Sequence, residues 1–398
     1  MTKQQAEAIH KALDTFRIEL PSWGFANTGT RFGKFVQPAA ATNIEEKFSD
    51  AAQVHRWTGV CPTVAIHVLW DLAGDLSDVQ GLGTKYGLQP GSINPNLFED
   101  QIYKFGSLAN PDSAVRKKAV DHLEHCVEIM KRLGSRDLSV WLADGSNYPG
   151  TQNIRRRRKW VEEGLAAAHA QLTDGQRMLV EYKPFEPAFY HTDIADWGMA
   201  LLLAEAAGPK AKVLVDTGHH YQAQNIEQIV DWLLDRGMLG GFHFNDRKYA
   251  DDDLTLGSID PYAVFRIFHE IRNAADLRNR DVSDIAYMID QSHNLKPKVE
   301  AMIQTAITAQ ELYAKACLVD RRKLRDAQMR MDIVDAEQCL RDAFYTDVRP
   351  MLAEWRKRKN LDANPIAAYR ASGYDAKVSR ERESARAARG GGASGSYA

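Results

Sequence analysis

Long apolar runs are missing from this chain. No stretch approaches the ~20 consecutive apolar residues that a membrane-spanning helix needs, so a helical membrane protein is excluded. Paired cysteines are missing too. Cys61, Cys126, Cys317 and Cys339 stand far apart with no CxxC among them, which argues against a thiolate zinc site or a disulfide framework and for free buried thiols in a reducing compartment. Nor is there a surplus of either charge. Lys plus Arg number 51 against 53 Asp plus Glu, a formal net charge of -2, which offers no electrostatic footing on nucleic acid or an anionic bilayer. The opening MTKQQAEAIHKAL is charged and lacks the apolar segment of a secretory signal. The expectation is a soluble, cytoplasmic protein with neither nucleic acid nor membrane as partner.

What is present is an alternation of short apolar runs with amphipathic segments. Three central runs, MLVE, KVLVD and GGFHF, are largely apolar and carry a polar residue at or next to their ends, as strands buried on both faces do. Further strands are expected at 63–68, 88–95, 138–143 and 285–289, with a first one at 23–26. A polar helix is expected over 3–18, stopped by Pro21. Between them, 111–134 places Val115, Ala119, Leu123, Cys126, Val127 and Met130 on one helical face. Asn225 and Gly237 bracket a helix over 226–236, and Pro261 opens another over 261–274. The basic run 155–159 (RRRRK) continues into Trp160, Val161, Leu165, Ala168 and Leu172, so it reads as the solvated first turn of a helix and not as a polyanion site. Eight strands separated by helices predict a (β/α)8 TIM barrel. From Lys296 the pattern is purely helical to about Arg358, too long for a barrel helix, and is expected to pack on another subunit. The low-complexity end from Ser379 (SRERESARAARGGGASGSYA) is expected to be disordered. The predicted division is a barrel with its N-terminal helix over 1–295, a C-terminal helical extension making oligomer contacts over 296–375, and a disordered tail over 376–398.

Glu181, Asp216, His243 and Asp290 each end a different predicted strand. Barrel closure brings such ends together, so the four can surround one ion. An oxygen-rich set with one imidazole suits Mn²⁺, Mg²⁺ or Co²⁺ better than a thiolate-type zinc site. Asp216 and His219 have D-x-x-H spacing, and Asp251 and Asp253 form an i, i+2 loop pair that can hold a second ion. Any one of these residues alone reads as well as a salt-bridge partner or a solvated turn. Their recurrence at successive strand ends carries the assignment. His220 should point away from His219 and be structural, and Asp246 and Asp252 should either support the ligands from behind or be solvated. Lys183 falls on the same strand face as Glu181, where an ammonium suits donation to a substrate oxygen.

In their order, E-x-K on one strand, D-x-x-H on the next, a loop D-x-D and a last strand Asp, these residues resemble the xylose isomerase-like metal-dependent sugar isomerases. Within them the chain is most similar to the bacterial L-rhamnose isomerase type of broad aldose specificity. The similarity lies in WGFANTGTRFGKF, VWLADGSNYPG, EYKPFEPAFYHTD, VDTGHH, HFNDRKYADDDLTLGSIDP and MIDQSHN, over about residues 20–350. Asp216 where xylose isomerase itself usually has Glu, and His243 where it has Asp, both agree with the rhamnose branch.

The resemblance implies two divalent ions, Mn²⁺ first and Co²⁺ or Mg²⁺ as alternatives. It implies that Glu181, Asp216, His243 and Asp290 hold the structural ion. His219, Asp251 and Asp253 would hold the catalytic ion, with Glu181 bridging. Lys183 would bond the substrate carbonyl oxygen, and His67, oriented by Asp71, would assist ring opening. Trp70 and Trp141 would wall the pocket, and Phe32 would cap it from a neighbouring subunit of a homotetramer. The implied reaction is aldose–ketose isomerisation of L-rhamnose and its relatives L-lyxose, L-mannose and D-allose. It would run by hydride shift or by a metal-assisted proton relay between C2 and C1, in which Asp290 or a metal-bound water or hydroxide removes the proton.

A ketose 3-epimerase is the alternative on the same barrel, but that chemistry needs two acids around a single metal, and the D-x-D loop with Lys183 favours the isomerase. An apurinic endonuclease-like phosphodiesterase needs a basic surface that the charge balance denies. A sugar-binding module would not call for so many metal ligands.

Overall fold

Eight parallel strands close into a barrel in the computed structural model, which describes residues 3–30, 33–72, 76–185 and 190–388. The strands are β1 (Glu19–Pro21), β2 (Thr63–His67), β3 (Gln89–Asn94), β4 (Asp137–Val140), β5 (Arg177–Glu181), β6 (Ala211–Asp216), β7 (Leu239–Phe244) and β8 (Ala286–Ile289). Each pairs with its sequence neighbours, and β1 pairs with both β2 and β8 to complete the circle. Every residue of β5 and of β7 is buried. Helices cover one face of these strands and the barrel interior the other, which is why they read as unbroken apolar runs.

The chain opens with helix α1 (Lys3–Thr15). Helices α2 (Ile44–Thr58), α3 (Leu76–Tyr86), α4 (Ser113–Leu133), α5 (Ile154–Ala170), α6 (Trp197–Ala207), α7 (Ile226–Arg236) and α8 (Pro261–Arg278) follow successive strands. Asn43, Asp112, Asn225 and Asp260 cap the N-termini of α2, α4, α7 and α8, each with its side chain accepting a backbone N–H. Gly59, Gly134 and Gly237 end α2, α4 and α7 in the left-handed conformation. The polar βα loops therefore gather at one rim, the end of such barrels that carries function.

Four expectations change. The segment 23–26 is not a strand. Strand β1 ends at Pro21, and Ser22–Phe25 forms a 3-10 helix. At Gly24 a Cβ would collide with the Met302 side chain and the Gln291 carbonyl, so the turn passes only because that residue has none. Second, α9 (Lys298–Cys317) packs against α8 and α2 of its own chain. It is the eighth barrel helix, so the barrel runs past residue 295 to Cys317. Its burial all round, through Met302, Ile303, Ala306 and Tyr313 among others, obscures the period that would have marked it.

Third, residues 379–388 belong to a helix. Helices α10 (Arg321–Met329), α11 (Ile333–Tyr345), α12 (Arg349–Arg358), α13 (Pro365–Ala371) and α14 (Tyr374–Ala388) complete the described chain. Arg382 in α14 is buried against Asp50 of α2, with its two terminal guanidinium nitrogens each 2.9 Å from the carboxylate. Composition counts Arg382 as one charge among many and cannot see that tertiary partner. Residues 389–398 of the expected tail lie outside the described residues. Fourth, one arginine of RRRRK is not solvated: Arg157 is buried and paired with Asp193 at 2.7 Å.

The four cysteines are free thiols. No helix among the described residues is long and apolar enough to cross a membrane.

Candidate metal centre

Glu181 and Asp216 are the last residues of β5 and β6, His243 is the penultimate residue of β7, and Asp290 follows β8 directly. Parallel register places Asp216 opposite His243. One ligand atom from each of the four lies within 4.8 Å of all the others. A second group, Asp216, His219 and Asp251, meets the same limit. His243 Nδ1 is 3.2 Å from Glu181 Oε1 and 3.6 Å from Asp290 Oδ2, yet is aligned for a hydrogen bond with neither. His219 Nδ1 lies 2.9 Å from the Tyr182 carbonyl. That leaves Nε2 facing Asp251 Oδ2 at 3.2 Å and Asp216 Oδ2 at 3.9 Å, the orientation a ligating histidine takes when its other nitrogen is engaged.

The resemblance implies Glu181 as the shared ligand. Asp216 is the carboxylate common to both groups, and Glu181 Oε1 lies 3.2 Å from His219 Nδ1 of the second. Asp253, in left-handed backbone at φ 46°, is in neither group. Lys183 is ion-paired with Asp251, and its ammonium lies 5.8 Å from the centre of the Trp141 ring. The wall continues from Trp141 to Phe98 (5.0 Å, edge-on) and to Trp70, which stacks on His67 at 3.5 Å. Asp71 acts otherwise than expected. It accepts the backbone N–H of His67 at 2.7 Å and not a ring nitrogen, and its other oxygen takes Lys47 Nζ at 2.7 Å. The expected cap, Phe32, lies outside the described residues.

Burial and mutual repulsion leave this cluster holding protons. Burial, with repulsion from Asp251, Glu181 and Asp290, pushes the Asp216 carboxyl up to about 7. Asp253 is raised well above the carboxylate range by burial and by Asp251, and Asp290 is raised by burial and by Glu181. Burial opposes charge on the imidazoles, but the carboxylates win. His243 is lifted to about 9 by Glu181, Asp290 and Asp216, and His219 rises well above its ordinary value beside Asp216 and Asp251. Glu181, despite its burial, is held at about 2 by His243 and His219. A largely buried set of five carboxylates and two imidazoles, converging from separate strands and loops, has the donor chemistry that fits divalent metal ions.

Asp216 (3.8 raised to about 7) and His243 (6.5 raised to about 9) lend stability that is complete on the acid side and is lost as the pH rises through the upper values. Glu181 acts oppositely, but only below its ordinary 4.5. The Tm of metal-free protein is therefore expected to fall from about pH 6 to about pH 9. The Tm gain from excess Mn²⁺ should widen over the same range, because the ion displaces those protons. Calorimetry at both pH values checks this, and a gain independent of pH would contradict it.

Several supports escaped sequence reading. Asn245 Nδ2 donates to both Asp216 oxygens at 3.0 and 3.2 Å, and the Gly218 N–H donates to Oδ1 at 2.6 Å. Asn245 lies two residues past His243, so strand alternation already placed both on one face. Asn245→Ala is expected to weaken metal binding about 10–100-fold with the fold intact, as measured by calorimetric titration with Mn²⁺. Trp23 Nε1 donates to Asp290 Oδ1 at 2.8 Å, a contact across 267 residues that no local pattern announces.

Residues 68–274, about half of the chain, match the family described as xylose isomerase-like TIM barrel. The chain belongs to this family. A probable sugar isomerase of Rhizobium meliloti (strain 1021) is 43% identical over 381 residues, covering 94% of this chain and 88% of the relative. The L-rhamnose isomerase of Bacteroides thetaiotaomicron is 20% identical over 367 residues, covering 84% of this chain and 85% of that enzyme. Among solved structures, that of an L-ribulose 3-epimerase superposes with a TM-score of 0.50 at 14% identity, over 82% of this chain and 97% of the other. These sequence relatives are named as sugar isomerases, and the ligand cluster at this rim could hold a metal ion.

Proposed function

We propose that this xylose isomerase-like barrel is a metal-dependent aldose–ketose isomerase acting on L-rhamnose and the related aldoses L-lyxose, L-mannose and D-allose. The observation that carries the reading is the pair of ligand groups sharing Asp216, with the Lys183 ammonium held beside them against Asp251 and Trp141. Glu181, Asp216, His243 and Asp290 would hold one ion, and Asp216, His219 and Asp251, with Asp253 nearby, the other. Such cations, Mn²⁺ first and Co²⁺ or Mg²⁺ next, supply Lewis-acid polarisation of the sugar oxygens.

The protein's own groups do the rest. Lys183 donates to the carbonyl oxygen as charge develops there. His67 is kept neutral by its burial and by Lys47, so it can accept a proton from the sugar hydroxyl as the ring opens. Trp70, Phe98 and Trp141 form an apolar wall that excludes water from C1 and C2. Hydrogen then passes from C2 to C1 directly, or by way of the Asp290 carboxylate, whose side chain is 27% exposed.

The fold likeness to a 3-epimerase keeps ketose epimerisation as the second reading. A panel of aldoses and ketoses incubated with Mn²⁺ separates the two. Rhamnulose from L-rhamnose is expected, and C3-epimerised ketose with no aldose conversion would replace this reading with the other. Label retained from C2-deuterated aldose marks the direct shift, and wash-out marks the relay. Assembly as a homotetramer, with Phe32 lent to a neighbouring site, belongs to the same proposal and is checked by light scattering.

A further inference from the structure

Asp290 is held unlike the other ligands. Asp216 is gripped by a backbone N–H and the Asn245 amide, and Glu181 lies between two imidazoles. Asp290 sits beyond the end of its strand, anchored at its own N–H by the Phe244 carbonyl at 3.1 Å. The side chain that donates to its carboxylate, among the described residues, is Trp23, to Oδ1 at 2.8 Å. Oδ2 is thereby left facing His243.

Trp23 is itself fixed from behind. It rides the 3-10 helix Ser22–Phe25, whose Ser22 hydroxyl donates to Asp71 Oδ2 at 2.5 Å. Asp71 is in turn locked by Lys47, with side-chain exposures of 0% and 4%, and by the His67 N–H. The Trp23 ring meets His67 edge-on at 5.9 Å. One buried ion pair thus sets the place of a substrate-facing imidazole and, through Ser22 and Trp23, the rotation of a metal-facing carboxylate.

We propose that Trp23 is a positioning residue that assigns the two oxygens of Asp290: its indole N–H occupies Oδ1 so that Oδ2 is presented to the ion of Glu181, Asp216 and His243. This rests on the metal-centre reading and deepens it. A carboxylate free to rotate can chelate or turn away from an ion, whereas one pinned at a single oxygen offers the other in one direction. That lowers the ordering cost of binding. The Trp23 indole N–H donates to a member of one ligand group, so its removal should act on that group's ion. A residue serving merely as a pocket wall would instead alter the KM for sugar and leave metal binding alone.

The test is calorimetric titration of metal-free full-length protein with Mn²⁺, with electron paramagnetic resonance to count bound ions. Wild type is expected to bind two ions. In Trp23→Phe, which keeps an apolar ring and loses the N–H, one ion should weaken about 10–100-fold while the other is unchanged, and kcat should fall more than KM rises. Ser22→Ala, which leaves the indole in place and frees the 3-10 helix from Asp71, should give a smaller shift in the same ion and carries the test if Trp23→Phe does not fold. Two unchanged Mn²⁺ affinities, or a rise in KM alone, would overturn the role of Trp23 and leave the metal centre standing. A wild-type protein that binds no Mn²⁺ would remove the metal centre and this role together.

Discussion

Asp216→Asn is expected to cut turnover by about a thousandfold or more and to remove tight binding of both ions. The shared carboxylate is the reason. Every other member of the two groups belongs to one of them alone, so its loss leaves the second group whole, whereas Asp216 belongs to both. Asparagine keeps the size of the side chain and one oxygen, so the Gly218 N–H and the Asn245 amide retain an acceptor. What disappears is the negative charge between the two positions, which should be worth several kcal/mol of transition-state stabilisation where a cation must be held, and each 1.36 kcal/mol is about tenfold in rate.

Stability should move the other way. A carboxyl raised from 3.8 to about 7 destabilises the folded, metal-free protein whenever it ionises, by an amount on the order of 4 kcal/mol at high pH. The metal-free Asp216→Asn variant is therefore expected to melt no lower than metal-free wild type at about pH 8 while being inactive with Mn²⁺. Activity within tenfold of wild type, or lower metal-free stability, would remove Asp216 from the centre of the site.

That opposition explains how much of the molecule could be read from its sequence. Each site residue on β5 to β8 stands at the end of an apolar run, and in a barrel the strand ends must meet. Those four positions follow from period and polarity alone. Local signals served the helices equally well, for Asn225 and Gly237 bracket α7 at the residues where it begins and ends. Failures arose where the deciding partner is remote. Helix α14 holds because Arg382 meets Asp50, 332 residues away. The 3-10 helix at Ser22 depends on Asp71, and Asp290 on Trp23. Asp71 shows the same limit, since spacing shows its nearness to His67 but not that Lys47 and Ser22 also bind its oxygens. Sequence period reports which face a residue is on; it does not report which of several neighbours on that face it binds.

Lys183→Met should lower kcat by about 10²–10³ with the fold and both ions retained. The side chain is 13% exposed and paired with Asp251, whose carboxyl is driven well below the usual range by His219 and Lys183 despite its burial. An ammonium kept among acids in a metal site is redundant for charge once divalent ions are present, so its retention points to a task at the substrate. Its place beside the Trp141 face puts it where the apolar wall meets the ligands, the position from which a donor reaches an oxygen that turns negative only during reaction. Methionine fills the same length without a proton to give. The expected result is a loss in kcat with KM for the sugar changed far less, and with Mn²⁺ titration still reporting two ions. Should the variant instead keep its kcat and lose an ion, Lys183 would be a support for Asp251 and the donor to the sugar would have to be sought elsewhere on the rim.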